Sequence, residues 1–305
     1  WALRRMIKDH NIEGLHVHSR APAWACYLLW IFCQIPYSAT VHGAHKCQNY
    51  FKRLYNSGLL RGRHVIAVSQ FIHQFLREHY PTLVDHKIID IFEGIHLEKF
   101  CKKTVSFDTI LAIREKLKIP FYHKIVLFPG RMTRIKGHQF YIDAFQHLPE
   151  NLKKSVTTVF IGGSDQPTPY QENIENQART HQMTCHFLPA VDDLKMYYAM
   201  ADVVVAPSQV PESFGRVVAE ALAMEAVVVS IDHGGVKELS NDGRYAFLSP
   251  LGDSLSFAQN LEKALSLSVS EKKMLTEHTR AHLSQSYDLN QMLLHYQHLV
   301  YDTTV

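Results

Sequence analysis

The run Asp202-Val-Val-Val-Ala206, leading straight into Pro207, constrains this 305-residue chain more than any other stretch. An unbroken apolar run of β-branched residues predicts a strand buried on both faces, which means an interior parallel strand. Beyond Gly215, the residues Val217, Val218, Ala221 and Leu222 recur at helical spacing. The layout is strand, loop, helix, with Glu212 in the loop and Glu220 inside the helix.

Eight helical residues advance roughly 12 Å. That is too long for one reacting bond and suits a ligand with two polar ends. The backbone N–H groups of Ser213, Phe214 and Gly215 open the helix unpaired and favour an anion. Gly215 lets a ligand approach the backbone. The predicted site binds an anion at the helix start, with hydroxyl groups accepted by a carboxylate on either side. A nucleotide diphosphate sugar has that shape. The plainer alternative is an amphipathic helix with one exposed acid.

Set in Pro207-Ser…Glu212-Ser-Phe-Gly-Arg-Val-Val-Ala-Glu220-Ala-Leu-Ala, the two glutamates resemble the paired-glutamate motif of family 4 retaining glycosyltransferases. Alternating strands and helices indicate an α/β fold with parallel sheets. The resemblance implies its form: GT-B, two Rossmann-like domains facing across a cleft. It covers the chain from about residue 14 onward. The expected division is an N-terminal, acceptor-side domain over 1–105, a nucleotide-sugar-binding domain over 106–286, and a final helix over 287–305 that crosses back to the first domain. Leu289, Met292, Leu293, Tyr296 and Leu299 supply that helix's apolar stripe. The chain begins at Trp1 without methionine and shows no signal peptide. The first domain is therefore expected to be truncated, lacking the strands and glycine-rich loop that family members carry upstream.

The second domain holds Gly130-Arg131 and Lys136-Gly137 after the strand Ile125–Phe128. Two cations five residues apart beside a glycine turn make a diphosphate clamp. The resemblance assigns Arg131 and Lys136 to the donor pyrophosphate, with Arg134 the lesser candidate between them. Solvated surface cations are the alternative. The pattern is not a Walker A loop. Gly162, in the Gly162-Gly163 turn, is placed where a ligand approaches, and Val191 where family members contact the base. Both are donor-binding candidates, together with Glu212, Ser213, Phe214, Gly215 and Glu220.

In the first domain, Tyr37-Ser-Ala-Thr-Val-His-Gly reads as a strand ending in His42 and Gly43. Open α/β sheets bind ligands at such carboxyl ends. The resemblance puts a histidine facing the transferred sugar here, which makes His42 a catalytic candidate beside Glu212, Arg131 and Lys136. A structural histidine is the alternative. His45 and Lys46 are lesser candidates for acceptor contact. His16 and His18 share a face of the strand before, but no cluster of further ligands accompanies them, so no metal is expected. Trp24, Tyr27 and Trp30 are read as packing against the sheet, with a membrane-interface patch as the alternative. Glu225 stands where family members commonly carry glycine.

Residues 1–100 hold 12 of the 32 Lys+Arg and 7 of the 29 Asp+Glu, a mildly basic half that suits an anionic surface or an acidic acceptor. Five cysteines with no C-x-x-C pair argue for reduced thiols in the cytoplasm. The apolar stretch from Trp24 to Ile35 is too short to span a bilayer.

The expected activity is transfer of a hexose from a UDP- or GDP-sugar, with retained anomeric configuration and no cofactor or metal, to a glycan or glycolipid acceptor. Ser19-Arg-Ala-Pro-Ala-Trp, Phe-Pro-Gly-Arg and Glu-Ser-Phe-Gly-Arg look most like lipopolysaccharide-core enzymes. That implies surface polysaccharide synthesis and peripheral contact with the inner membrane, with no nucleic-acid partner. Three other readings stay open. A retaining glycosidase needs carboxyl groups about 5 Å apart, which the helical spacing disfavours. A dehydrogenase needs a G-x-G-x-x-G after a strand, which is missing. A remnant that binds a nucleotide sugar without transferring it is the last.

Overall fold

The structure, a computed structural model, describes residues 2–45, 49–84 and 87–301. The chain divides into two compact units, residues 1–93 with 292–305, and residues 94–291. Each unit is built on one parallel sheet.

The first unit carries β1 (Leu15–Val17), β2 (Tyr37–Val41), β3 (Val65–Ala67) and β4 (Ile88–Asp90), side by side in chain order. All three pairings are parallel, with Leu15 opposite Tyr37, Ala39 opposite Val65 and Val65 opposite Ile88. Helices Arg20–Cys33 and Gln70–His79 form the crossovers. The second is capped at its start: the Ser69 hydroxyl accepts the Ile72 N–H, which satisfies one of the helix's open donors. Tyr37 is buried to the hydroxyl, which donates to Gly58 O at 2.6 Å. Trp24 lies on Gly58, where any side chain would strike its ring, and its indole N–H donates to Tyr55 O at 2.9 Å. Trp30 meets the Tyr37 ring edge-on. The aromatic trio Trp24, Tyr27 and Trp30 is thus half-buried packing, and the large apolar residues that helix exposes are Leu28, Ile31 and Phe32.

The second unit carries β5 (Lys124–Pro129), β6 (Val156–Gly163), β7 (Cys185–Pro189), β8 (Val203–Ala206), β9 (Val227–Ile231) and β10 (Phe247–Ser249). Their spatial order is β10-β9-β8-β5-β6-β7, parallel throughout. Val203, Val204 and Val205 are fully buried, as are Val228 and Val229, which is why these runs lack polar alternation. Burying each such side chain contributes about 1.5–3 kcal/mol. The chain winds outward from β5 in one direction and from β8 in the other, so the strand order reverses between them. A crevice opens at such a point, outside the strands' carboxyl ends.

The division between units falls at Glu93, earlier than the expected 105. The cause is local. Ile95 N–H donates to Tyr287 O at 2.7 Å, and Leu289 N–H returns to Ile95 O at 3.1 Å. The Arg280 guanidinium donates to Leu97 O and Phe100 O at 2.6 and 2.8 Å. Residues 95–100, which the expected division puts in the first domain, are therefore bound into the second unit. The final helix, Leu289–Tyr301, leaves that unit after Gln291. Its half-buried stripe is Leu289, Met292, Tyr296 and Leu299, and the Tyr296 hydroxyl bonds Thr40 Oγ1 at 2.9 Å. Leu293, expected in the stripe, is exposed.

Candidate functional site

Two loops meet at the reversal point of the second sheet. The first leaves β5. Gly130 N–H donates to Ile161 O at 2.7 Å and Met132 N–H to Gly162 O at 3.3 Å. A 3₁₀ turn, Arg134–Lys136, follows, and Gly137 at φ 81° opens the helix His138–Gln146. The second loop leaves β8. Its Gln209 N–H donates to Ile135 O at 2.7 Å. A Cβ on Gly137 would lie only 2.0 Å from Pro207 O. Glycine is required there twice over, for its positive φ and for backbone meeting backbone.

This contact brings Lys136 to Glu212. Their Nζ and Oε1 are 2.6 Å apart, and both side chains are about four-fifths buried, with exposures of 23% and 17%. Ser208 Oγ also donates to Glu212 Oε1. Glu212 Oε2 lies on the Gly215 side and has no hydrogen-bond partner among the described residues. The Glu212 backbone is held by the next turn: Gly235 N–H donates to its carbonyl at 2.8 Å, and Gly234, at φ 62°, packs where a side chain would strike it. His233 closes the turn with Nε2 at 2.9 Å from Ser208 O, the ring nitrogen donating. Arg131 is exposed, and its guanidinium has no partner among the described residues. Arg134 is exposed as well.

The helix Arg216–Ala223 starts four residues after Glu212. Its N-cap is Gly215, at φ 99° and ψ 57°, and no side chain caps it. Its first N–H groups and the positive end of its dipole are therefore available to an anion. Phe214 is buried and anchors the start of the helix, its ring centroid 5.8 Å from that of Tyr287. Ser213 is half-buried, and its carbonyl packs on Gly235.

Glu220 points from the interior of the helix and is 12% exposed. The Tyr198 hydroxyl donates to Oε2 at 3.0 Å, and Arg216 Nη2 stands 3.7 Å from Oε1. Burial pushes its carboxyl above the ordinary carboxylate range, opposed by the Tyr198 hydrogen bond and the charges of Arg216 and Lys99. The structure thus gathers Lys136, Glu212, Ser213, Phe214 and Gly215, and sets Glu220 farther along the same helix.

Gly162 sits at φ 123° with its Cβ position 2.4 Å from Gly130 O. Its visible role is to let β6 close on the loop that carries Arg131. Val191 follows β7, the edge strand, and is half-buried.

His42 belongs to the first unit. Its Nε2 is 2.9 Å from His18 Nδ1, and His16 Nε2 is 2.8 Å from Thr40 Oγ1. The rings of His16 and His18 are 4.7 Å apart. Loss of hydration pushes His16 down to about 4, helped by the nearby His18 and His42. His42 is lowered for the same first reason, with His18 second. The His16 and His18 pair is thus engaged in hydrogen bonds. Among the described residues, no three His, Cys, Asp or Glu side chains are grouped to hold a metal ion. Lys46 lies outside the described residues.

The sequence reading passed over Ser208, His233, Gly234, Tyr198 and the bond from His18 to His42. Ser208 stands within the stretch over residues 207–223, and the Asp232-His-Gly-Gly turn carries its own glycine-pair signal in the sequence. Tyr198 had no such signal.

Residues 110–282 match the family model of glycosyl transferases group 1, and residues 1–99 match that of glycosyltransferase family 4. D-inositol 3-phosphate glycosyltransferase of Xylanimonas cellulosilytica is 29% identical over 279 residues, 83% of this chain and 64% of that protein. Lipopolysaccharide 1,2-N-acetylglucosaminetransferase of Salmonella typhimurium is 26% identical over 210 residues, 66% of this chain and 52% of that protein. The chain thus spans about half to two-thirds of the length of these relatives. Among solved structures, a glycosyltransferase from Rickettsia africae superposes with a TM-score of 0.87 at 27% identity, over 98% of this chain and 78% of that one. Anabaena HepE in complex with UDP and glucose superposes with a TM-score of 0.85 at 19% identity, over 98% and 80%, a likeness of fold.

Proposed function

This chain belongs to the glycosyl transferases group 1 and has the GT-B fold, and on that premise we propose that it transfers a hexose from a nucleotide diphosphate sugar to a glycan or glycolipid acceptor. The observation that carries the reading is the Lys136–Glu212 pair at the sheet's reversal point, beside a helix start that no side chain caps. A cation, a carboxylate and a bare helix N-terminus meet there within one crevice.

In this reading Lys136 and Arg131 neutralise the leaving diphosphate, and the helix at Gly215 adds its positive end. Glu212 Oε2 accepts donor-sugar hydroxyls while Oε1 stays bound to Lys136 and Ser208. Glu220 accepts the ribose hydroxyls. Gly162 and Val191 line the nucleotide, and His42 serves the transferred sugar. The reaction retains the anomeric configuration, and two cations with a helix dipole take the place of a metal. HepE, a fold relative, was crystallised with UDP, which makes UDP-sugars the first donors to test. The lipopolysaccharide transferase among the relatives supports a role in lipopolysaccharide-core or surface polysaccharide synthesis, in the cytoplasm and peripheral to the inner membrane. Among the described residues no helix is long and apolar enough to cross a membrane.

Calorimetric titration of UDP- and GDP-sugars into the chain and into Lys136→Ala and Glu220→Ala tests the donor site. The expected result is binding of one nucleotide class, weakened at least about tenfold by each substitution, the loss of one charge-assisted hydrogen bond. Equal binding by the variants, or none by the folded protein, overturns the assignment.

A further inference from the structure

The first unit has an open pocket of about 770 Å³ whose wall includes Arg20, His45, Asn49, Phe51, Lys52 and Tyr55. Arg20 opens the helix that follows β1, and His45 comes soon after β2. The pocket therefore sits at the carboxyl ends of two parallel strands. Among the described residues that line it, three side chains are basic and none is a carboxylate. Arg20 is fixed in place: Nη1 donates to Asn56 Oδ1 at 3.1 Å, and its guanidinium stands 5.4 Å from the Tyr55 ring centroid. Neither partner carries a negative charge. Asn49 Oδ1 is used by the Lys52 N–H at 2.8 Å, which leaves its NH₂ to donate. Phe51 is 78% exposed and Tyr55 45%. Exposed aromatic rings of this kind form a platform for the apolar face of a ligand.

We propose that this pocket binds a phosphorylated carbohydrate, the phosphate held by Arg20 and Lys52 and the sugar ring laid on Phe51 and Tyr55. Arginine and lysine suit a phosphate dianion through charge-assisted hydrogen bonds. The Asn49 amide and the aromatic faces suit a sugar. Burial and then the Arg20 charge lower the affinity of His45 for a proton, and a bound anion offsets the second of these. Resting on the transferase reading, the bound carbohydrate is the acceptor, and the acceptor carries a phosphate.

The test uses the ¹⁵N-labelled chain, first titrated with UDP and then, with UDP saturating, with glucose 6-phosphate, glucose and inorganic phosphate. Glucose 6-phosphate is expected to shift the amides of Arg20 and of residues 49–56. Glucose is expected to leave them unmoved, and inorganic phosphate to bind more weakly. Lys52→Gln and Arg20→Gln should each weaken glucose 6-phosphate binding about tenfold. Lys52 is exposed and its side chain has no partner among the described residues, so that variant keeps the fold even if Arg20→Gln does not. Glucose shifting the same amides equally, inorganic phosphate binding as tightly as the sugar phosphate, Lys52→Gln binding unchanged, or no shift at all overturns the proposal. Failure of the UDP titration with the glucose 6-phosphate response intact overturns the donor-site reading alone.

Discussion

Lys136 Nζ and Glu212 Oε1 are 2.6 Å apart although 76 positions separate them in the chain. The bond joins the loop after β5 to the loop after β8, and it exists because those two strands are neighbours. Both groups are mostly buried, so solvent screens the pair less than it would at the surface. Removing one partner leaves the other poorly solvated. Lys136→Ala and Glu212→Gln, singly and together, form a double-mutant cycle. A coupling of about 1–3 kcal/mol is expected from denaturant unfolding, and each single change should weaken UDP binding at least about tenfold.

Gly234 meets Glu212 from the other side. At φ 62° its Cβ position is 2.3 Å from Glu212 O. Alanine there must displace the loop as well as adopt a left-handed backbone. Gly234→Ala should destabilise by about 2–4 kcal/mol and weaken UDP binding further than the stability loss explains. Parallel thermal melts and calorimetry separate the two effects.

The sequence showed the two glutamates, the two cations and the helix between them because each stands in a short local pattern. Strand runs such as Val203–Val205 were readable for the same reason: burial on both faces removes polar alternation. Pairings across the sheet were not. That Lys136 reaches Glu212, or that the Tyr198 hydroxyl reaches Glu220, depends on strand order and on helix rotation, and no local pattern encodes either. His18 shows the limit well. Spacing put it on one face with His16, but its partner, His42, lies 24 residues away on the neighbouring strand's exit. The unit boundary moved because Arg280 binds backbone carbonyls 180 and 183 residues earlier.

Glu225 occupies the position after the helix cap at φ 55°. Ala226 N–H donates to Ala221 O and Glu225 N–H to Leu222 O, the paired bonds of a Schellman turn. A left-handed backbone costs a non-glycine residue about 1 kcal/mol. Glycine removes that cost and adds freedom to the unfolded chain, which offsets part of it. Glu225→Gly should therefore stabilise by about 0.5 kcal/mol, or about 1–2 °C in Tm, with UDP affinity unchanged.

Glu220 is held above the ordinary carboxylate range, chiefly by burial. A raised carboxyl favours the protonated form in the folded state, so its contribution to stability is greatest below the unfolded value of 4.5 and is lost as pH rises through the folded one. Binding has the opposite sign. Ribose hydroxyls donate best to a carboxylate, so UDP affinity should fall as pH drops through that raised value. The step should disappear in Glu220→Gln, whose affinity is lower and flat. A profile with the same step in both proteins would assign the titration elsewhere.

His16 gives an acid sensitivity of its own in the first unit. Its imidazole is pushed down to about 4 by loss of hydration, with His18 and His42 adding like charge. The ordinary value is 6.5, so between those limits the unfolded chain takes up a proton that the folded chain refuses. Stability from this group is complete above pH 6.5 and is lost as pH falls toward 4. His16 is exposed, so solvent screening makes the effect small without changing its sign. Thermal melts should show Tm falling between pH 6.5 and 4.5. His16→Gln has nothing to protonate and can still donate to Thr40, so it should flatten that fall. An unchanged slope in the variant would place the acid sensitivity in other groups.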